Sequence, residues 1–595
     1  MPCSRPGSTP ASTRRLLRVL LLVLSLAAAP LAVVGAVGSP AQARAAATAP
    51  DPAPDPAIVV SPRGNDSARG TTGAPLRSIQ SAVDQASAGD TVVVRGGTYH
   101  ESVTIPAGKR VTLTAAPGER VWLDGSQTVS SWQASDGGWV HHGWTVTFDH
   151  SPTYTWGAPD GTEPSWSFVN PDHPMAAHPD QVWVDGKAQE QVASRAQLRP
   201  GTFYVDEAAD DLYLGSNPSG RTVLASTLAK AMSIRAAGTT VQGIGVRRFA
   251  PSVPHMGAVT VEAPDVTLRR MAVNGNATTG LFVAATGAEL DHVRVLDNGM
   301  LGLGATYADG IRVVDLVSRR NNSERFNSAP VAGGVKIDRT RGILVSGADI
   351  RRNAASGLWF DESAKDITVL DSTIRDNARH GLSLEISADA TVADNVIAGN
   401  GGFGIKVNNT SDVAIWNNTI VGNDRPVNIV QDDRDANDPG TPGHDPRFPV
   451  PAPGMTWING PVDVHNNVLD RGQSAANCLL CVEDYSGRFT ADELGVSASG
   501  NVYARASRSA PTWLVVWSRG GGNPDVFTSL DAFNRATGQE ARRLEVVGRP
   551  AVTARLRTTR EVRSATASVA LPLPAALAGL LDRRSGVRHL GAWPG

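Results

Sequence analysis

Four phrases repeat along one stretch of the chain: Gly334-Val-Lys-Ile-Asp338, Gly357-Leu-Trp-Phe-Asp361, Gly381-Leu-Ser-Leu-Glu385 and Gly404-Ile-Lys-Val-Asn408. They start 23, 24 and 23 residues apart. In each phrase the first and third residues after glycine are apolar and the others mostly polar, the period-2 pattern of a strand with one buried face. A strand that recurs at this spacing indicates a solenoid whose coils stack the same strand on itself. The repeat therefore predicts an all-β protein, a right-handed parallel β-helix.

The polar residues of these phrases are expected to form two columns on the outer face of the stack. One column holds Lys336, Trp359, Ser383 and Lys406, and the other holds Asp338, Asp361, Glu385 and Asn408. Neighbouring strands lie about 4.8 Å apart, so the three acids should form a ladder of mutually repelling carboxylates. Such a ladder indicates either catalysis or a cation site. Trp359 offers an apolar ring for a sugar, and His380 enters the same strand as Glu385.

The N-terminus has the pattern of an export signal. Arg14, Arg15 and Arg18 precede or enter an apolar run, and Ala41-Gln42-Ala43 is a small-x-small cleavage site. Residues 1–43 are therefore interpreted as a signal peptide and residues 44–57, rich in Ala and Pro, as a linker. We expect a secreted or extracellular protein with no membrane span after cleavage.

Charge and cysteine content narrow the functional classes. The chain has 55 basic and 57 acidic residues, and removal of the signal peptide leaves a net charge of −6. No basic stripe is present, so nucleic acid is not an expected partner. Cys478 and Cys481 are predicted to form a local disulfide, because export exposes them to an oxidising compartment.

The repeat divides the exported chain into four parts. Residues 58–125 are predicted to form an N-terminal cap and the first coils, with a short helix that carries Ile79, Val83 and Ala86 on one face. Residues 126–226 lack the repeat and are predicted to be an inserted antiparallel β module. Residues 227–490 resume the coils, and residues 491–595 are expected to cap the C-terminal end.

Three features outside the repeated phrases need an interpretation. The inserted module is rich in Trp, which serves either as packing in a small β fold or as platforms for sugars. Asn residues recur in step with the coils and predict stacked amides at the turns. This register is Asn298, Asn321, Asn353, Asn377, Asn400 and Asn423, with a second at Asn395 and Asn418. The acidic, Pro-rich stretch from 431 to 453 is either a wall of a groove or a solvated bulge.

The ladder suits glycosidic hydrolysis, which needs one ionised and one protonated carboxyl group. Asp361 and Glu385, on adjacent coils, would lie about 5 Å apart, as in retaining enzymes. We expect flanking cations to favour an ionised Asp361, the nucleophile, and its charge to raise the pKa of Glu385, the acid and base. The substrate-binding candidates around this pair are Asp338, Lys336, Trp359, His380, Lys406 and Asn408.

The Trp-x-Asp strand, followed one coil later by Leu382-Ser-Leu-Glu385, resembles the β-helix glycosidases of the β-xylosidase type. The N-terminal stretch from Val60-Ser-Pro-Arg-Gly-Asn-Asp66 is similar to secreted proteins of the pectin-lyase-like superfamily. This resemblance implies a β-helix interrupted by a β-sandwich, with the Asp as nucleophile and the Glu as acid and base. It also implies a polysaccharide or oligosaccharide as partner and requires no cofactor.

Two other functions fit the same residues. A polysaccharide lyase or uronate epimerase would hold Ca²⁺ on Asp338, Asp361 and Glu385 and use Lys336 or Lys406 as base. A non-catalytic carbohydrate-binding or surface β-helix would instead bind sugar through the Trp-rich insert. The sequence gives no indication of an oligomeric state.

Overall fold

The computed structural model describes residues 57–161, 166–472 and 474–593. Within these ranges the chain forms three long sheets of 13 strands each, and their neighbouring strands are almost all parallel. Each coil contributes one strand to each sheet, which is the architecture of a parallel β-helix. The proposed signal peptide and nearly all of the proposed linker lie outside the described residues.

The strands of the three sheets are given in order of their pairing. Sheet 1 consists of Ile58–Val60, Thr91–Val94, Thr112–Ala115, Thr240–Gln242, Thr267–Arg269, Glu289–Asp291, Arg312–Val314, Arg341–Ser346, Lys365–Leu370, Ala388–Ala393, Ser411–Trp416, Val462–His465 and Val496–Ser499. Sheet 2 consists of Val103–Ile105, Met232–Ile234, Val259–Val261, Thr279–Val283, Leu301–Thr306, Gly333–Asp338, Ser356–Asp361, Leu382–Glu385, Ile405–Asn408, Val427–Gln431, Leu480–Asp484, Val515–Trp517 and Asp525–Phe527. Sheet 3 consists of Gly97–Tyr99, Val121–Asp124, Ile244–Arg247, Ala272–Asn274, Arg294–Leu296, Val317–Arg319, Asp349–Arg351, Thr373–Arg375, Val396–Ala398, Thr419–Val421, Val468–Asp470, Asn501–Arg505 and Arg543–Val547.

The interior is a continuous apolar column, formed by the inward residues of all three sheets. Val335 and Ile337 of one repeated phrase, and Leu358 and Phe360 of the next, are at most 2% exposed and belong to it. Each buried residue stacks on its equivalent in the next coil, so the period-2 pattern in the sequence becomes one shared core. The predicted fold class and strand faces are confirmed.

The N-terminal end of the column is covered by helix α1, Ile79–Gln85, as the sequence predicted. Ser78 caps this helix by accepting a hydrogen bond from the backbone N–H of Ser81. Ile79, Ala82 and Val83 are fully buried in the same core as the first strands. The helix therefore closes an end that would otherwise expose apolar side chains and unpaired strand groups.

The inserted module is an eight-stranded sheet. In pairing order its strands are Ser126–Thr128, Val223–Ser226, Val182–Val184, Lys187–Gln191, Thr202–Asp206, Asp211–Leu214, Gly138–His142 and Gln133–Ser135. All neighbours are antiparallel except Lys187–Gln191 with Thr202–Asp206, which are parallel. A long connection, the 143–180 loop, leaves this sheet after Gly138–His142 and returns before Val182–Val184. Among its described residues it contains no strand and no α-helix.

The coils continue further toward the C-terminus than the sequence indicated. Strands Val496–Ser499, Asn501–Arg505, Val515–Trp517 and Arg543–Val547 add rungs beyond residue 490. Helix α2, Leu530–Thr537, buries Leu530 and Phe533 in the main core and so covers this end. The regular spacing is lost here because long connections separate the last strands.

The rest of the tail runs back along the outside of the stack instead of sealing its end. Helix α3, Arg560–Val569, packs through Val562 and Val569 on the outer side of the last coils. Helix α4, Ala575–Leu580, contributes Leu577 and Ala578 to a cluster with Trp416 and other outward residues of sheet 1. No helix among the described residues is long and apolar enough to cross a membrane.

The predicted Asn ladders are present and fully internal. In one ladder each side-chain amide donates to the side-chain oxygen of the next member: Asn276, Asn298, Asn321, Asn353, Asn377, Asn400 and Asn423. A second ladder joins Asn395, Asn418, Asn467 and Asn501 in the same way. The amides also bind main-chain carbonyls at the turns, so they satisfy backbone groups that the sheets leave unpaired.

Replacing Asn377 with Ala is expected to destabilise the fold by roughly 3 kcal/mol, because buried partners lose their hydrogen bonds. Asn377 Nδ2 donates to Asn400 Oδ1 at 2.9 Å and to the Ile350 carbonyl at 3.2 Å, and Asn353 Nδ2 donates to Asn377 Oδ1 at 2.9 Å. Urea unfolding measures the loss. The exposed Asn437 provides a matched control, and an equal effect of Asn437→Ala would contradict a special role of the ladder.

Candidate active site

The predicted site residues lie in two columns on the outer face of sheet 2. Lys336 pairs with Trp359, Trp359 with Ser383, and Ser383 with Lys406 on successive strands. In the second column Asp338 is in register with Asp361, and Glu385 is in register with Asn408. Asp361 and Glu385 end neighbouring strands, so the acid ladder occupies three consecutive rungs about 4.8 Å apart.

This face is covered rather than open to solvent. Lys336 is 5% exposed, Asp361 is 6% exposed and Ser383 is 2% exposed, although all three point away from the core. The 143–180 loop packs Tyr154 and Phe168 on an outer cluster that includes Met300, Phe326 and Val331. Asn327 binds this loop by donating from its side chain to the carbonyls of Ser167 and Val169.

The stretch from 432 to 460, which we call the excursion, covers the other side. Its Trp457 is fully buried and packs on Ile386 and Ala388, just after Glu385. Ser363 donates a hydrogen bond to the Gly443 carbonyl at 2.9 Å. The excursion therefore packs on the coils beside Glu385, so it is not a fully solvated bulge.

Lys336 and Asp361 form a buried ion pair. Lys336 Nζ lies 2.8 Å from Asp361 Oδ2 and donates to the Pro330 carbonyl at 2.6 Å. The same ammonium lies 3.9 Å from the centroid of the Trp359 ring, so it covers one face of the indole. The other Asp361 oxygen accepts the Glu362 N–H at 2.9 Å. Lys336 is therefore fixed by three neighbours.

Glu385 is held by two cations. Arg434 Nη1, from the excursion, lies 3.0 Å from Glu385 Oε1, and Lys406 Nζ lies 3.5 Å from Oε2. Arg434 is itself held by Asp432, which accepts from Asn408 Nδ2 at 3.0 Å. Asn408 thus contributes to the position of Arg434, while Lys406 contacts Glu385 directly.

Asp338 is the third carboxyl group of the ladder. It accepts from Thr306 Oγ1 at 2.7 Å, and Arg339 lies 3.7 Å away while pairing more closely with Glu362. Burial raises the pKa of Asp338 to about 7, and the charge of Glu362 adds to this shift. Burial also raises the pKa of Tyr154 above its usual range, with a further contribution from the Asp338 charge. The 143–180 loop therefore reaches the ladder.

The protonation order of the central pair is the reverse of the sequence expectation. Burial raises the pKa of Asp361 to about 6, despite the opposing charge of Lys336. Burial also acts to raise the pKa of Glu385, but Lys406 and Arg434 outweigh it, so the pKa lies below its usual value. The expectation that Glu385 would be the more easily protonated group is therefore wrong. It failed because Arg434 comes from the excursion, whose position the repeat does not predict.

His380 packs beside the strand that carries Glu385. Its Nδ1 accepts the Phe403 N–H at 3.0 Å, and its ring stacks on Phe403 with centroids 4.8 Å apart. Burial, together with the charge of Lys406, lowers the pKa of His380 to about 3. The imidazole of His380, which lies near Glu385, is therefore neutral.

Two polar atoms between the lysines lack a partner. Trp359 Nε1 and Ser383 Oγ are buried, and neither has a hydrogen-bond partner among the described residues. An unpartnered buried donor or hydroxyl costs free energy, which a bound ligand would recover. These atoms, on adjacent rungs beside Asp361 and Glu385, indicate where a polar ligand would bind.

The ladder does not form a compact set of metal ligands. Within the described ranges, only Asp291, His292 and Asp315 bring three candidate ligand atoms within 4.8 Å of one another, and they lie away from sheet 2 on a largely exposed surface. Asp361 and Glu385 are instead neutralised by Lys336, Lys406 and Arg434.

Sequence reasoning missed several neighbours of the ladder. Four residues outside the repeated columns lie close enough to the ladder to interact with its carboxyl groups. They are Arg434, Tyr154, Glu362 and Arg339. Arg339 and Glu362 directly follow Asp338 and Asp361 at equivalent positions, which is a signal that the sequence did contain. The local disulfide of Cys478 and Cys481 is present as predicted, with Cα atoms 6.0 Å apart.

Comparisons with known proteins agree with this fold. A family model described as a right-handed β-helix region matches residues 257–424, and another, described as a protein of unknown function (DUF1565), matches residues 62–106. The structure of XylC in complex with xylose has a TM-score of 0.56 at 14% identity, covering 82% of this chain and 86% of XylC. The chain is a right-handed parallel β-helix protein with an inserted, mostly antiparallel β module.

Two sequence relatives match over short stretches. Pectate lyase PEL9 of Emericella nidulans is 50% identical over 76 residues, 12% of this chain and 18% of the relative. The uncharacterised protein YwoF of Bacillus subtilis is 35% identical over 78 residues, 12% of this chain and 17% of that protein. The chain thus matches less than a fifth of either relative's length.

Proposed function

We propose that this protein is a secreted glycoside hydrolase that acts on a polysaccharide or oligosaccharide with retention of configuration. The observation that carries the proposal is the pair Asp361 and Glu385 on neighbouring rungs of a covered outer face. Adjacent strands place two carboxyl groups about 5 Å apart, the separation of a retaining pair. The likeness to XylC supports a β-helix scaffold, and the site itself supports the chemistry.

The two carboxyl groups take roles that follow their protonation order. Glu385, kept ionised by Arg434 and Lys406, is the nucleophile that attacks the anomeric carbon. Asp361, whose pKa is raised to about 6, gives its proton to the leaving oxygen and then removes one from water. This assignment exchanges the roles that the sequence suggested. Below about pH 6, the state with Asp361 protonated and Glu385 ionised is the more populated one.

The sugar is expected to bind beside the pair along both columns. The buried Trp359 Nε1 and Ser383 Oγ would bond its hydroxyl groups, and Lys406, His380 and Asn408 continue the polar surface beyond Glu385. Lys336 and Asp338 flank Asp361 on the opposite side. No cofactor is needed for this reaction.

The lyase or epimerase alternative is less well supported. That chemistry needs an unprotonated base. Burial lowers the pKa of Lys336, but the negative charges of Asp361, Glu362 and Asp338 together outweigh burial and raise it. An activity screen separates the possibilities: aryl glycosides and uronate polymers are tested with Ca²⁺ and with chelator. Release of aryl alcohol that is insensitive to chelator supports hydrolysis. Products with a new ultraviolet-absorbing double bond, lost with chelator, would reject it.

The activity is expected to fall as pH rises through about 6. Asp361 must carry a proton to act as the acid, and its raised pKa keeps that proton only up to about pH 6. The pH dependence of kcat/KM on a neutral aryl glycoside measures this limb. Activity that instead increases through pH 6 would show that Asp361 must be ionised, which contradicts the role given to it.

A further inference from the structure

Two groups of Trp residues in the inserted module differ in their exposure to solvent. Trp132, Trp139 and Trp144 pack in the module's apolar cluster, as in an ordinary small β fold. Trp156 and Trp166 are 56% and 52% exposed, and both lie on the 143–180 loop. Two exposed indoles on one segment are candidate contact surfaces for a ligand.

A cavity of about 630 Å³ lies in the same loop. Pro152 and Asp160 line it on either side of Trp156 in the chain, and Trp166 directly precedes another lining residue. Asp160 shapes this part of the loop by accepting the N–H groups of Gly161, Phe168 and Val169. The lining also includes two further prolines and two histidines: Pro171, Pro174, His150 and His178.

The polar groups of the cavity suit a ligand that both donates and accepts hydrogen bonds. His150 Nε2 is buried without a hydrogen-bond partner among the described residues, although Glu207 Oε1 and Asp180 Oδ2 lie 3.4 and 3.7 Å away. The His178 ring lies 4.2 Å from the His150 ring. A hydroxyl group can bond to an imidazole nitrogen in either direction.

Described residues of the loop pack on the coils and lie near the acid ladder. Tyr154 packs edge-on against Phe168 at 5.4 Å, and Trp156 contacts His255 of the coils at 4.8 Å. The negative charge of Asp338 also contributes to the raised pKa of Tyr154. A ligand in the cavity would therefore lie on the same side of the molecule as the site on sheet 2.

We propose that the 143–180 loop forms a second, non-catalytic site that binds a neutral polysaccharide, with Trp156 and Trp166 as stacking surfaces and His150 as a hydroxyl partner. Sugar rings combine apolar faces with hydroxyl edges, which matches exposed indoles beside a polar cavity. Asp160 lines the cavity, and the carboxylates of Asp180 and Glu207 lie beside His150, so the site favours a neutral chain over an acidic one. This site would hold a polymer close to the proposed hydrolase site. The binding proposal does not depend on the hydrolase proposal.

The test is a depletion assay with insoluble cellulose, xylan, chitin and pectin. Full-length protein carrying Asp361→Asn is used alongside the wild type so that binding is measured without turnover. At least one neutral polymer is expected to deplete both proteins. Trp156→Ala and Trp166→Ala should each weaken this binding by about tenfold, because each removes an exposed stacking surface. Tyr485→Ala is the matched control, since Tyr485 is 68% exposed and lies off the loop.

Hydrolysis of a soluble aryl glycoside provides the separating measurement. The two Trp variants are expected to retain it, because neither side chain contacts the acid ladder, while their KM for the polymer rises. Failure of the wild type to bind any of the four polymers would overturn the second site. Polymer binding that is unchanged in both Trp variants would also overturn it. The same holds if the wild type binds pectin more tightly than the neutral polymers. If the wild type binds a polymer but hydrolyses no aryl glycoside, only the hydrolase proposal is contradicted.

Discussion

Replacing Asp361 with Asn is expected to lower kcat for an unactivated glycoside by about 10³-fold, because the amide cannot donate the proton that the leaving oxygen needs. The substitution preserves the size of the side chain and its ability to accept the Glu362 N–H. It also leaves Lys336, 5% exposed, without its counter-charge, so a fall in melting temperature is expected. The measurement is therefore kcat per folded molecule, with folding checked by circular dichroism.

The chain offers a control for this substitution a few residues away. Asp366 is exposed, lies in sheet 1 and has a left-handed backbone conformation that Asn tolerates. Asp366→Asn should leave kcat unchanged. Equal turnover of Asp361→Asn and wild type would remove Asp361 from the mechanism and with it the proposed hydrolase function.

The second expected result concerns the stereochemistry of rescue by azide. In Glu385→Ala, azide replaces the missing nucleophile and attacks the substrate directly, so the glycosyl azide should have inverted configuration. In Asp361→Ala, Glu385 still forms the covalent intermediate with an activated aryl glycoside, and azide then gives a product of retained configuration. Without azide, each variant should lose at least about 10²-fold in kcat with an unactivated substrate.

The same experiment distinguishes between the two role assignments. Retention from Glu385→Ala together with inversion from Asp361→Ala would restore the roles suggested by the sequence. That outcome would mean that substrate binding reverses the protonation order of Asp361 and Glu385. Proton NMR of the azide products reports the configuration directly. Wild-type protein incubated with azide is the control and should yield only the hydrolysis product.

The register of the acid ladder was predictable from the sequence because it depends only on a repeat. Gly357-Leu-Trp-Phe-Asp361 and its neighbours place apolar residues inward at every second position, and a shift by one residue would bury the charges. The Asn ladders follow the same spacing, so their stacking was predictable as well. Both features depend only on contacts between neighbouring coils, which a constant spacing in the sequence predicts.

The surroundings of the ladder were not predictable in this way. Arg434 lies 26 residues beyond Asn408 in the chain, within an excursion that has no period, yet it pairs with Glu385. Tyr154 comes from the inserted module, almost 200 residues before Asp338. The coils beyond residue 490 were also missed, since irregular connections replace the 23-residue step there.

By itself, the sequence determined which side chains share a column and which face of each strand is buried, because stacking converts a constant spacing into a fixed distance of about 4.8 Å. Only the tertiary structure decided how deeply these columns are buried and which charges meet them. A pKa depends on solvent access and on every charge nearby, including those brought by distant loops. For that reason the position of the carboxyl pair followed from the repeat, whereas its protonation order did not.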